Sequence, residues 1–369
     1  MKFVISKTEL TKLIGNIQNI AGKNTTIPIL SNFLIEAAQD ELILTATDLT
    51  VGMRCHAHAK ILEEGVTTLP AKRFFQLVRE LTTSNIEVTC GENHITEIKA
   101  GSSLFKLHGM SKNEFPTLPD LNEAIQIKIS CAVLKEMFYR TSFAVSKEEN
   151  RYVLTGVLLK VADGAATVVG TDGKRLAKTD TKLDIDPTIT GDYILPLKAV
   201  DEILKILTDE GMATLYLMAD KVAVEAHGST VITKLLSGSY PDFTKVIPKK
   251  DNISLSLHRE ELISLLRQVS LFIDDTLNHA ARFMFFNGEL TLSANHMEVG
   301  EGKVGMPVNY KGPNLVIAFN PFFFLDILRH SKDETVSLSL TDAYNPGLIT
   351  DSSSSVCVLM PMRLSNEVL

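Results

Sequence analysis

Three places in the sequence carry side chains of types that do chemistry elsewhere. The first is Gly170-Thr-Asp-Gly-Lys-Arg175, where a lysine follows a glycine as in loops that cradle phosphate. Such a loop needs wider glycine spacing and a Ser or Thr directly after the lysine, and Arg175 occupies that place here. Phosphate binding of that kind is therefore excluded. The second is Cys55-His-Ala-His58. Neighbouring residues of a strand point to opposite faces, and no further Cys/His cluster supplies the remaining ligands, so this stretch reads as a surface strand and not a metal site. The third is the scatter of His94, His108, His258 and His296, none of which adjoins a Ser or Cys in a nucleophile motif. No catalytic, metal or cofactor set remains, which favours a binding or scaffolding protein over an enzyme.

The elements that hold these residues repeat. Val168-Val-Gly-Thr-Asp-Gly-Lys-Arg-Leu176 is an apolar strand entering a decorated turn, and Leu44-Thr-Ala-Thr-Asp-Leu49 lies 124 positions before it. Leu292-Ser-Ala-Asn-His-Met297 lies 124 positions after it. The aspartates Asp48 and Asp172 thus read as structural turn residues that accept backbone hydrogen bonds. A period of 124 run three times nearly fills the 369 residues, and domains of about 120 residues are of ordinary size. We expect domains at 1–122, 123–248 and 249–369.

Each repeat opens alike, at Phe3-Val-Ile-Ser-Lys-Thr-Glu-Leu10, Ile127-Lys-Ile-Ser-Cys-Ala-Val-Leu134 and Leu255-Ser-Leu-His-Arg-Glu-Glu-Leu262. An alternating strand passes into a helix, with Ser6 and Ser130 placed to cap it. Hairpin turns follow at Gln39-Asp40, Asp163-Gly164 and Asn287-Gly288. A second strand and helix begin near Pro70, Pro196 and Pro321, about half a repeat further on. Each domain is therefore expected to be two β-α-β-β-β halves, giving an α+β fold with sheets on one side and helices on the other. Sheets that run on between domains would form an arc with open strand edges, and two arcs would close by two-fold pairing into a six-domain ring with its helices inside.

Composition agrees with an ordinary globular chain: 45% hydrophobic, 22% charged, net charge −7. The acidic balance argues against a surface that coats nucleic acid all over, yet allows one basic face. The helices supply cations for such a face: Lys7, Lys12, Lys72, Arg73, Arg79, Lys135, Arg140, Lys198, Lys205, Arg259, Arg267, Arg329 and Lys332. No apolar run is long enough to span a membrane and the first strand starts near Met1, so a cytoplasmic protein is expected. Cys55, Cys90, Cys131 and Cys357 form no CxxC pair and are expected to be reduced and buried.

An ordered series of motifs spans the chain: Met1-Lys-Phe3, Ile27-Pro-Ile-Leu30, Thr47-Asp48, Leu69-Pro-Ala-Lys-Arg-Phe-Phe75, Glu114-Phe-Pro116, Arg151-Tyr152, Thr171-Asp-Gly-Lys-Arg-Leu176, Ser239-Tyr-Pro-Asp-Phe243 and Met360-Pro-Met-Arg-Leu364. It resembles the β sliding clamp family of bacterial DNA polymerase III. The resemblance implies a non-catalytic head-to-tail homodimeric ring around duplex DNA, with no cofactor and no membrane. It implies as partners the DNA polymerase III alpha subunit, the clamp loader complex, and other polymerases and repair proteins that carry clamp-binding motifs. It further implies a peptide groove between the second and third domains, lined by Leu154, Thr171, Gly173, Lys174, Arg175, Leu176, Pro241, Lys245, Val246, Val358, Met360, Pro361, Met362 and Arg363.

Three places depart from the family pattern. Lys245 stands where an arginine is frequent, Tyr152 is followed by Val153 and not by a second aromatic, and Ser365-Asn-Glu-Val-Leu369 extends past the usual end, to cover the groove or to fray. For DNA contact we expect Arg73, Tyr152 and Lys198, with Lys23 on a loop reaching the backbone. For the dimer we expect Phe105 and Leu107 to pair with a third-domain edge near Leu271 and Phe272. The alternatives are a peptide-binding scaffold that does not encircle DNA and, third, an enzyme with a site hidden between domains.

Overall fold

The computed structural model describes residues 1–22, 26–91, 93–249, 253–273, 280–296 and 298–363. The first repeat contains β1 (Lys2–Ser6), α1 (Lys7–Ile17), β2 (Asn32–Ala38), β3 (Glu41–Thr47), β4 (Val51–His58), β5 (Lys60–Glu63), β6 (Gly65–Pro70), α2 (Ala71–Glu80), β7 (Asn85–Cys90), β8 (Ile95–Ala100) and β9 (Ser103–His108). The second contains β10 (Ile125–Ser130), α3 (Cys131–Tyr139), β11 (Gly156–Ala162), β12 (Ala165–Thr171), β13 (Arg175–Lys182), β14 (Gly191–Pro196), α4 (Leu197–Ile206), β15 (Met212–Leu217), β16 (Lys221–Ala226) and β17 (Ser229–Lys234). The third contains β18 (Ile253–His258), α5 (Arg259–Ser270), β19 (Ala281–Phe286), β20 (Glu289–His296), β21 (Gly300–Pro307), β22 (Leu315–Phe319), α6 (Pro321–His330), β23 (Thr335–Leu340), β24 (Gly347–Thr350) and β25 (Val356–Leu359). Apart from the added β5, every repeat is β-α-β-β-β written twice.

Local chemistry explains the borders. Ser6 accepts the Glu9 amide at 3.2 Å, and Asn320 accepts the Phe322 amide at 2.9 Å ahead of Pro321. In the hairpins, Gln39, Asp163 and Asn287 take φ of 55°, 52° and 49°, the left-handed region that a two-residue turn demands. Alternation along the strands sends Phe283 and Phe285 into the core and leaves Met284 half-buried and Phe286 exposed between sheet and solvent.

Contacts divide the chain into two compact units, Met1–Lys135 with Lys198–Leu235, and Glu136–Leu197 with Leu236–Leu369. The middle repeat thus gives one half to each. The first unit holds a five-stranded sheet, β5-β1-β7-β8-β9, and an eight-stranded sheet, β10-β15-β16-β17-β4-β3-β2-β6. The second holds an eight-stranded sheet, β14-β11-β12-β13-β25-β24-β23-β18, and a four-stranded sheet, β21-β20-β19-β22. Sheets do run on from repeat to repeat, with Ile232 opposite Gly52 and Leu176 opposite Val358. In the second unit α5 and α6 pack Leu262, Leu266, Phe324 and Leu328 against Phe283, Phe319 and Leu338.

Two expectations need correction. Arg140 does not join an exposed basic face: it is 7% exposed just past α3, bonded to Asp351 at 2.5 Å and to Glu136 at 2.5 Å. A guanidinium this dry is held only because two carboxylates meet it. Of the four free cysteines, Cys55 and Cys131 are buried, whereas Cys90 and Cys357 are half-buried. Burial pushes the Cys55 thiol up to about 11, so it is no nucleophile.

Candidate peptide-binding groove

The turn between β12 and β13 is built by its own side chains. Asp172 accepts the amides of Lys174 and Arg175 at 2.8 and 2.9 Å, while Thr171 Oγ1 donates to the Arg175 carbonyl and accepts the Gly173 amide. Asp48 does the same for Thr50 and Val51 in the first repeat, and in the third His296 Nδ1 accepts the amides of Glu298 and Val299. The repeat preserves the bonding even where it changes the residue. Gly173 sits at φ +83°, and a Cβ there would come 2.8 Å from the Arg151 guanidinium, which donates to the Asp172 carbonyl. Conformation favours glycine here, and the Arg151 guanidinium uses the space that it leaves.

Arg175 points away from solvent, 7% exposed. It bonds Asp172 at 3.2 Å, Asp326 of α6 at 2.7 Å and the Phe143 carbonyl at 2.8 Å, and its guanidinium lies 4.5 Å from the Phe323 ring centre. Such a planar fork, stacked and fully bonded, fastens the turn to α6. Beyond it His330 stacks on Phe143 at 4.3 Å, and burial pushes its pKa below the ordinary imidazole value.

On the other face of the same sheet lies an apolar floor. Ile194 of β14, Leu158 of β11, Val169 of β12, Leu176 of β13 and Val358 of β25 form one buried cluster drawn from five adjacent strands. Leu359, next to Val358, belongs to the main core, so the two faces of the strand serve different clusters. Val153, Leu236, Tyr240, Phe243, Ile247 and Leu348 pack around the floor only partly buried. After β25 the chain keeps to the sheet, with Met360 donating to the Lys174 carbonyl at 2.9 Å and Met362 to the Ala318 carbonyl at 2.8 Å.

The expected lining residues divide accordingly. Leu176 and Val358 are floor; Thr171 and Arg175 are buried support; Leu154, Pro361 and Met362 are half-buried. Gly173, Lys174, Pro241, Val246, Met360 and Arg363 are exposed, as is Lys245, which bonds Asp242 at 3.1 Å. Sequence reasoning passed over Arg151, Leu158, Val169 and Ile194. The signal for Leu158 and Val169 was present: β11 and β12 are apolar on both faces, while an antiparallel strand with one wet face alternates.

Of the residues expected to touch DNA, Arg73 is exposed on α2, Tyr152 is 55% exposed, and Lys198 is paired with Asp48. Burial raises the Asp48 carboxyl, but the Lys198 ammonium and the turn amides outweigh it and hold it below the ordinary value. Lys23 and the segment 365–369 lie outside the described residues. At the expected dimer contact, β9 pairs among the described residues only with β8 and exposes Leu104 and Phe105, with Leu107 half-buried. Leu271, 74% exposed, and Phe272 follow α5, and the Phe272 ring covers Gly302 of the edge strand β21. Among the described residues no group of three or more His, Cys, Asp or Glu is placed to hold a metal ion.

A two-half repeat and sheets shared between repeats define a DNA-clamp fold. Family models of the DNA polymerase III beta subunit match in series: the N-terminal domain at residues 1–119, the central domain at 128–242 and the C-terminal domain at 244–363. The chain belongs to the DNA polymerase III beta subunit family, the DNA sliding clamps, which are non-catalytic processivity factors. It is similar to the beta sliding clamp of Chlamydia pneumoniae, 56% identical with 100% of each chain covered, and to that of Proteus mirabilis, 31% identical with 99% and 100% covered. Among solved structures it is similar to the DNA polymerase sliding clamp from Bacillus subtilis, with a TM-score of 0.94, 28% identity and 99% and 100% coverage. A Pseudomonas aeruginosa sliding clamp bound to griselimycin also has a TM-score of 0.94, at 30% identity and the same coverage.

Proposed function

We propose that the chain acts as a homodimeric ring around duplex DNA and tethers the replicative polymerase by a short peptide held in the groove described above. The observation that carries this is the apolar floor on the sheet face opposite the core, with exposed Pro241, Val246 and Met360 and half-buried Pro361 on the chain segments that adjoin its members Tyr240, Ile247 and Val358. It offers an anchor to a leucine or aromatic side chain and no group that would react with it. Methionine adapts to anchors of different shape, which suits several partners: the polymerase alpha subunit, the clamp loader, and other polymerases and repair proteins. The same reading divides the chain at 1–122, 123–248 and 249–369, pairs β9 of one copy with β21 of the other beside Leu271 and Phe272, and turns Arg73, Tyr152 and Lys198 to DNA. Among the described residues no helix is long and apolar enough to cross a membrane. The cytoplasm, where the chromosome lies, is the proposed location.

Two measurements test the reading. Light scattering should give twice the chain mass at micromolar concentration. A labelled C-terminal peptide of the polymerase should bind the full chain and the chain cut after Leu364, and should lose at least about tenfold in affinity when Met360 onward is removed. A monomer mass, or unchanged affinity in the longer truncation with its fold intact, contradicts it.

A further inference from the structure

In the first unit β4 meets β17 as β13 meets β25 in the second, with Gly52 opposite Ile232 where Leu176 stands opposite Val358. The Thr47-Asp48 turn makes the same backbone bonds as Thr171-Asp172, and Phe115-Pro116 precedes this strip as Tyr240-Pro241 precedes the other. The side chains differ. A Cβ on Gly52 would come 2.4 Å from Leu118 Cδ2, so Leu118 of the connecting segment occupies the room that Gly52 leaves.

A hollow of about 120 Å³ remains beside Leu118, walled by Leu49 and Ile232 and rimmed by Lys221 and Lys234. Apolar cavities of about 150 Å³ hold molecules the size of benzene, so there is room for one aliphatic side chain. Leu49 is 44% exposed at φ 74°, an apolar group held outward in a conformation that usually falls to glycine. Lys221 pairs with Asp220 at 2.7 Å. Among the described residues no carboxylate stands within ion-pair distance of Lys234, which leaves the rim one positive charge in surplus.

We propose that this hollow is a second docking groove, for a short acidic peptide with an aliphatic anchor; the proposal rests on reading the first groove as a peptide site. The anchor enters beside Leu118 and an adjacent carboxylate meets Lys234. Full-length protein with labelled Leu, Ile and Val methyl groups, titrated with acetyl-Asp-Leu-Asp-Leu-amide and separately with hexanoate, tests it by NMR. The expected result is saturable movement of the Leu49, Leu118 and Ile232 signals with the peptide. Gly52→Leu, whose side chain would meet Leu118 and displace it from the wall of the hollow, and Lys234→Glu, which reverses the rim, should each weaken that movement at least tenfold. Leu176 and Val358 report the first groove in the same spectra, so either reading can fail alone. No movement at Leu49, Leu118 and Ile232 up to millimolar peptide overturns the proposal. So does movement indifferent to both substitutions, or an equal affinity for hexanoate, which would make this a small-carboxylate site. If Gly52→Leu does not fold, the surface change Lys234→Glu decides.

Discussion

The strip where β13 meets β25 and the strip where β4 meets β17 share a backbone and differ in who fills them. In one, Leu176 and Val358 stay in the sheet as a buried floor with Tyr240, Phe243 and Ile247 packed around it, and the proposed peptide docks beside them. In the other, Gly52 gives way and Leu118 of the same chain lies across it. The repeat supplies the geometry twice, and single residues decide whether an anchor comes from within or from a partner. The turns tell the same story: Asp48 and Asp172 make identical backbone bonds, but Leu49 stands strained where Gly173 is relaxed and leaves space for the Arg151 guanidinium.

Changes on the decorated side should have the largest effects. Arg175→Ala leaves Asp172 without its cation and Asp326, a third exposed, with Arg329 alone, and we expect a loss of about 1–3 kcal/mol in chemical denaturation together with loss of peptide binding. A loss below about 1 kcal/mol would mean that the turn is not fastened through this residue. Leu176→Ala removes part of the floor and should cost about 2–5 kcal/mol as a buried truncation, with peptide affinity falling alongside.

The α6 side of the sheet should be sensitive to acid. Burial raises the Asp351 carboxyl, but bonds from Ser353, Arg140 and Ser331 outweigh it, so its folded pKa is below the usual 3.8. Its contribution is complete above that value and is lost as pH falls through the lower folded one. His330 has a folded pKa below 6.5, so the unfolded chain takes up a proton that the folded chain refuses, and stability starts to fall as pH drops below about 6.5. Melting temperatures of His330→Asn should be flatter than those of the parent between pH 6.5 and 5, and equal slopes would remove His330 from this account. The smallest change belongs to Lys198→Ala, whose exposed pair with Asp48 is worth under about 1 kcal/mol, so unfolding should barely move.

The period of 124 residues made the repeated half-domains, the hairpin turns at Asp163-Gly164 and Asn287-Gly288, and the role of Asp48 and Asp172 legible, because each rests on local backbone chemistry. What stayed hidden rests on residues far apart in the chain. Arg175 reads as a surface cation beside Lys174 until Asp326, 151 positions away, is brought against it. Arg140 likewise needed Asp351, 211 positions on, to become a buried strut. The floor was missed because Leu158, Val169 and Ile194 look like ordinary core until the sheet shows which face each one serves.

We propose that the protein's hold on DNA comes from encirclement and not from contact. A protein held by six to ten phosphate contacts loses about 10³–10⁵ in affinity between 50 and 200 mM salt. The most direct measurement loads the protein onto nicked circular DNA, washes at high salt, and then cuts half of the sample with a restriction enzyme. The protein should stay with the closed circles and leave the linear molecules. Equal loss from circular and linear DNA on raising salt would contradict it.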